Sequence, residues 1–190
     1  MQSVMIDLET MGTGPRGAIV SIGAVLFDLN TGDLGASIHE QVSLKSCTDH
    51  GLVIDASTVL WWMKQKPEAQ ASWNVEFPKQ LPAALGVLAA LVNGAQTKKG
   101  RGVQVWANAP TFDCAILRSA YSAVNYAVPW AYQDERCVRT LVALARDTGF
   151  EAKATPRTGV AHSALDDCLY QIEYCCRAWL HLKGIKACPS

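Results

Sequence analysis

The sequence lacks most of what would mark a secreted, membrane-spanning or duplex-tracking protein. Lys plus Arg and Asp plus Glu each number 17 among 190 residues, so there is no net charge. A protein that follows duplex DNA presents a long basic surface, and none is advertised here. A nucleic-acid partner has to be held locally, over a few nucleotides or through metal ions. The cysteines, at 47, 114, 137, 168, 175, 176 and 188, include no Cys-x-x-Cys, and the histidines, at 39, 50, 162 and 181, no His-x-x-x-His. That spacing argues against a structural zinc site. An odd count of scattered cysteines points instead to free thiols in a reducing, cytoplasmic setting. No apolar run is long enough to span a bilayer. Asp7 and Glu9 interrupt the first apolar run almost at once, so no signal peptide is expected.

What is present is core. With 49% hydrophobic residues, 190 residues suffice for one substantial domain, and no repeat or linker divides residues 1–190. Residues 3–8, Ala18–Asp28 and Ile38–Leu44 are expected to be strands, the last two joined by a turn at Asn30-Thr31-Gly32. Ser57–Lys66 opens on a capping-type serine and ends before Pro67, as a helix does. Leu81–Val92 is apolar on most sides and predicts a buried helix. After the basic turn TKKGRG (97–102), Val103–Ala107 predicts a strand, and Thr111–Ala123, Cys137–Thr148 and Ser163–Leu182 predict helices. A three-stranded run followed by alternating strands and helices implies an α/β fold, a mixed sheet flanked by helices.

Three acidic clusters punctuate this plan. In the first strand, Asp7 and Glu9 sit at i and i+2 and therefore share a face, opposite Val4, Ile6 and Leu8. Two buried like charges side by side need compensation; otherwise the strand ends at Asp7 and Glu9 is solvated. Asp113 falls in the first turn of a helix that follows a strand, where open α/β sheets bind ligands, although the helix dipole alone favours an acid there. In His162-Ser163-Ala164-Leu165-Asp166-Asp167, Ser163 and Asp166 fit a capping box. Helical periodicity does not choose between Asp166 and Asp167, which flank an apolar stripe. A carboxylate cluster with no matching Lys or Arg cluster calls for hard divalent cations such as Mg²⁺ or Mn²⁺. A loop histidine beside it could deprotonate water.

Asp7-x-Glu9-Thr10, Asn108-x-x-x-Phe112-Asp113 and His162-x-Ala164-x-x-Asp167 occur in that order over roughly residues 3–180. They resemble the three motifs of the DEDDh 3′–5′ exonucleases of the ribonuclease H-like superfamily. DLETMG, AIVSIGAV and STVLWWMKQ are further similar to a bacterial and phage subgroup with exonuclease VIII-like and exoribonuclease-like members, although Met11 stands where many relatives have threonine. The resemblance implies a ribonuclease H-like fold and release of nucleoside 5′-monophosphates from single-stranded DNA or RNA 3′ ends by two Mg²⁺ or Mn²⁺ ions. It implies Asp7, Glu9, Asp113 and Asp167 as metal ligands and His162 as general base. Backbone around Glu9, Thr10 and Met11, with Asn108, Phe112, Trp61 and Trp62, is implied at the substrate, one of the two indoles being core. Related enzymes are often homodimers. The competing readings are a catalytically silent nucleic-acid-binding module on the same fold and a protein-interaction domain.

Overall fold

Strand β1 (Ser3–Thr10) is buried along nearly its whole length, as a strand covered on both faces must be. β2 (Ile19–Phe27) is buried throughout and pairs antiparallel with β1, and β3 (Leu34–Gln41) pairs antiparallel with β2. On the other side of β1, β4 (Gln104–Ala107) and β5 (Glu135–Cys137) add in parallel, giving the order β3-β2-β1-β4-β5. The computed structural model describes residues 2–71, 75–95, 102–152 and 156–184. Residues 97–101 of the TKKGRG turn and Cys188 lie outside the described residues; the other six cysteines are free. No helix of the described residues is long and apolar enough to cross a membrane.

The helices are α1 (Leu44–Asp49), α2 (Ala56–Trp62), α3 (Pro67–Ala71), α4 (Leu81–Asn93), α5 (Asp113–Ala123), α6 (Val138–Arg146) and α7 (Ala164–Leu182). They divide between two faces because β1 alternates. Val4, Ile6 and Leu8 join a core with Leu85 and Leu88 of α4 and Leu117 and Tyr121 of α5. Met5 points the other way, into a core with Val138 and Val142 of α6 and Cys168, Ile172 and Cys175 of α7. Asp7 and Glu9 therefore face α7. This is the shared face that their i, i+2 spacing dictates.

Several elements depart from the sequence-based expectation. β3 starts at Leu34 and stops at Gln41, because Ser43 caps a new helix, its hydroxyl accepting from Ser46 N–H at 3.2 Å. α2 stops at Trp62, and Pro67 begins α3 rather than merely ending the preceding helix. α4 buries one face only; Ala83, Gly86 and Ala90 are exposed, and being small they leave little apolar surface in water. β5 has three residues, too few to show an alternating pattern.

One glycine decides how α7 meets the sheet. Gly23 of β2 lies directly across the ladder from Asp7. A Cβ at Gly23 would stand 2.3 Å from the carbonyl carbon and oxygen of Ala164, the first residue of α7. Backbone cannot yield there as a side chain tip would, so only glycine lets the helix start rest on the strand. Gly23→Ala is expected to cost roughly 1–3 kcal/mol as an overpacking substitution and to displace the α7 N-terminus. Thermal melts and activity should fall together; an unchanged melting temperature would show that α7 can back away freely.

Candidate active site

Asp7, Glu9, Asp113, His162 and Asp167 line one cleft of about 310 Å³, together with Leu8, Asn108, Ala109, Phe112 and Arg139. Donor atoms of Glu9, His162 and Asp167 lie within 4.8 Å of one another. The five candidate groups, spread over 160 residues of sequence, converge because three elements end here. β1 supplies Asp7 and Glu9. The start of α5, reached from β4, supplies Asp113, whose carboxylate accepts from the Leu8 N–H at 3.2 Å. α7 supplies Asp167 from its first turn.

Sequence reasoning missed two partners of this cluster. Gln171, one turn beyond Asp167 on α7, donates from Nε2 to the Asp7 carboxylate at 2.7 Å and is buried. Its Oε1 is buried without a partner among the described residues. The signal was a glutamine inside an otherwise apolar stripe of α7. Arg157 forms an ion pair with Asp167 and lies over the Tyr170 ring, 5.1 Å from its centre. It precedes α7 in a loop and carries no sequence signal. Two arginines, Arg157 and Arg139, thus approach the acids, where sequence spacing suggested no basic complement.

They do not neutralise the cluster. Burial, then Asp113 and Glu9, holds the Asp7 carboxyl well above the usual carboxylate range against the Gln171 hydrogen bond. Burial and then Asp113 push Glu9 up to about 8, with Arg157 opposing. Burial pushes Asp113 up to about 7, opposed first by the Leu8 N–H. Crowded, desolvated oxygen donors that hold protons at neutral pH suit hard divalent cations, which displace those protons. The donor set therefore fits Mg²⁺ or Mn²⁺.

His162 sits with φ +64°, a left-handed backbone in the loop that enters α7. Its ring meets Trp61 edge-on at 5.0 Å and Trp62 at 6.1 Å. Burial first, and Arg157 second, hold its pKa below the ordinary value, so the imidazole is neutral at pH 7 and able to accept a proton. The capping box expected from Ser163 and Asp166 does not form. Ser163 occupies the N-cap without a side-chain bond, and the Asp166 carboxylate accepts from the Val160 N–H at 2.8 Å. The loop folds back over the first turn of α7, Gly159 packing on Asp166 at φ +79°, so Val160 offers the nearer donor. Asp166 anchors the loop that presents His162.

A second depression, about 370 Å³, opens beside the cleft and shares Leu8, Glu9 and Phe112 with it. Thr10, Trp61 and Trp62 line it too. Trp62 is buried at 2% exposure and donates from its indole to the Thr10 carbonyl at 2.9 Å, whereas Trp61 is 42% exposed. Met11 lines neither depression. Its side chain is core, and its N–H and C=O are taken by Ala18 O and Asp55 N–H.

A family model described as the 3′–5′ exoribonuclease Rv2179c-like domain matches residues 2–179. The chain belongs to this family. An exodeoxyribonuclease of Enterobacteria phage T4 is 26% identical over 219 aligned positions, covering all of this chain and 94% of that protein. Among solved structures, the nuclease domain of 3′hExo, a DEDDh family member bound to rAMP, superposes with TM-score 0.61 at 12% identity, covering 98% of this chain and 96% of that one. E. coli exonuclease I, in a zinc-bound complex with single-stranded DNA, gives 0.60 at 17% identity, with 97% of this chain and 41% of that one. This chain thus spans about two fifths of exonuclease I, and at such identities the likeness shows the shared ribonuclease H-like fold. The enzyme is a 3′–5′ exonuclease.

Two predictions follow from the geometry of this exonuclease's site. A carboxyl whose folded pKa is raised binds its proton more tightly folded than unfolded, so stability falls as pH rises through that range. For Glu9 the range runs from an ordinary 4.5 to about 8. His162 and His39 are held below 6.5 and have finished titrating in both states above about pH 7. The metal-free melting temperature should therefore drop between pH 7 and pH 8.5, and Mg²⁺ should raise it more at the higher pH. A flat, metal-insensitive profile would contradict the crowding.

Asp166 is tested by two substitutions. Asp166→Asn keeps an oxygen acceptor for Val160 N–H and should leave turnover near normal. Asp166→Ala should cost about 1 kcal/mol and lower kcat on the order of 10- to 100-fold through misplacement of His162. Equal activities of the two variants would remove the loop-anchoring role.

Proposed function

We propose that this exonuclease acts as one catalytic domain. It hydrolyses the terminal phosphodiester of single-stranded DNA or RNA from the 3′ end, releasing nucleoside 5′-monophosphates with two divalent cations. The observation that carries this is the convergence of four carboxylates and a neutral imidazole in one cleft beside an aromatic-lined depression. Asp7, Glu9, Asp113 and Asp167 would hold Mg²⁺ or Mn²⁺. These supply charge neutralisation at the phosphate and ease deprotonation of water.

The chain's own groups do the rest. His162 takes the proton of the attacking water as the water oxygen bonds to phosphorus. The bond from phosphorus to the 3′ oxygen of the preceding nucleotide breaks, and that oxygen leaves with a proton from solvent. Gln171 fixes the Asp7 carboxylate, and the Leu8 N–H fixes that of Asp113. Thr10, Trp61, Trp62 and Phe112 border the space for the terminal nucleotide, where the exposed Trp61 face is open to a base. Asn108, at the opposite rim of the cleft, faces the strand. Met11 contributes by holding this rim in place rather than by touching substrate.

The family description names an exoribonuclease and the phage relative an exodeoxyribonuclease. Both sugars are therefore tested together. Purified protein is incubated with 5′-labelled single-stranded DNA and RNA in Mg²⁺, Mn²⁺ or EDTA. A ladder shortening from the 3′ end is expected with either metal and none with EDTA. Undiminished hydrolysis by EDTA-treated, metal-free protein would sink the two-metal reading. In the same assay His162→Ala should lower kcat by about 10²–10⁴-fold while leaving metal binding largely intact. Asp167→Asn should fold normally, bind metal poorly and lose nearly all activity. An active Asp167→Asn beside an inactive Asp166→Asn would place the third motif one residue out of register.

A further inference from the structure

A third depression, of about 460 Å³, runs between α6 and α7. It shares Asn108 and Arg139 with the catalytic cleft and no residue with the depression under Trp61 and Trp62. The cleft therefore opens at one rim to the aromatic space and at another to this trough. The trough is cationic. Arg139 and Arg146 of α6, spaced i and i+7, lie on one helix face about 10.5 Å apart along the axis. Both are exposed, and neither enters an ion pair among the described residues. Its other wall is aromatic: Tyr170 and Tyr174 of α7, spaced i and i+4, meet edge-on at 5.1 Å. Arg139 acts electrostatically on both Asp113 and Tyr174, tying the trough to the acidic centre.

We propose that this trough is the track for the nucleotides immediately 5′ of the scissile phosphate, with phosphates on Arg139 and Arg146 and bases against Tyr170 and Tyr174. The proposal rests on the exonuclease reading above. With the terminal nucleotide beside Trp61 and the scissile phosphate over the carboxylates, the remaining strand must leave by another rim. Paired arginines alongside aromatic faces are what a single strand of any sequence binds. A rival exit adjoins the other side of the cleft. A depression bordered by Lys66, Glu68 and Arg157 adjoins His162, but its arginine already serves Asp167 and its charge is mixed. The trough also suggests how a chain of zero net charge grips a polyanion: two arginines without ion-pair partners among the described residues stand beside the cleft.

The test separates the strand from the chemistry. Thymidine 5′-(p-nitrophenyl) phosphate has the scissile phosphate, with p-nitrophenolate as its leaving group, but no 5′-ward phosphate or base. Arg146→Ala, an exposed change remote from the carboxylates, should leave its hydrolysis unaltered. The same variant should raise KM for single-stranded hexanucleotides about fivefold, the size of one exposed charge contact, with kcat retained. The slope of log KM against log salt should fall by roughly 0.7, one phosphate contact on a single strand. Tyr174→Leu should show the same split. Unchanged hexanucleotide kinetics in Arg146→Ala would overturn the track. A length-dependent loss confined to Lys66→Ala would move the strand to the rival exit. If the parent protein hydrolyses neither substrate with Mg²⁺ or Mn²⁺, the exonuclease reading itself fails, and the track with it.

Discussion

Repulsion among buried carboxylates at one end of β1 is the constraint around which the rest of the molecule is arranged. Asp7 and Glu9 share a face, and Asp113 hydrogen-bonds the backbone between them. Left alone, three desolvated acids would pull the strand end toward water. They stay because the strand that carries them is pinned on both faces: by Val4, Ile6 and Leu8 against α4 and α5, and by Met5 against α6 and α7. Hydrophobic burial at about 1.5–3 kcal/mol per large side chain holds in place an arrangement that electrostatics opposes. Strain of this kind is expected where a site awaits counter-charge from a ligand.

α7 translates that constraint into geometry. Its first turn carries Asp167 and the loop anchor Asp166. Its second carries Gln171, which steadies Asp7, and Tyr170 and Tyr174 follow along the trough wall. Asp167, Gln171 and the two trough tyrosines thus share one rigid rod, so their mutual distances are set by helical rise. The rod's seat against β2 depends on Gly23, directly across from Asp7. The contact that fixes α7 is also the contact that fixes the distance between the two groups of acids.

How far this was legible in the sequence depends on whether a residue acts through its own type or through the path of the chain. Alternation in β1 is local chemistry, and it placed Asp7 and Glu9 on the face they occupy. The second and third motifs correctly put Asp113 and Asp167 at helix starts. The boundaries of α7, Ala164–Leu182, differ by one residue from those that periodicity predicts. Failures came where tertiary routing decides. Ser163 and Asp166 have capping-box spacing, but the loop returns over the helix and Val160 takes the carboxylate. Arg157 looks like any loop arginine until that loop brings it to Asp167. Gly23, mid-strand, did carry a signal, since strand glycines mark close backbone approach, but nothing in sequence names what approaches.

The negative charge at the cleft can be balanced in two ways that exclude each other. Without cations, protons on Asp7, Glu9 and Asp113 and the guanidinium on Asp167 do it. With two divalent cations, four ionised carboxylates are matched by four positive charges, and Arg157 no longer has a carboxylate to neutralise. Its guanidinium lies over the Tyr170 ring but lines the depression beside His162 rather than the α6–α7 trough. In the proposed reading Arg157 is the counter-ion of the cation-free site, and bound divalent cations take over that part.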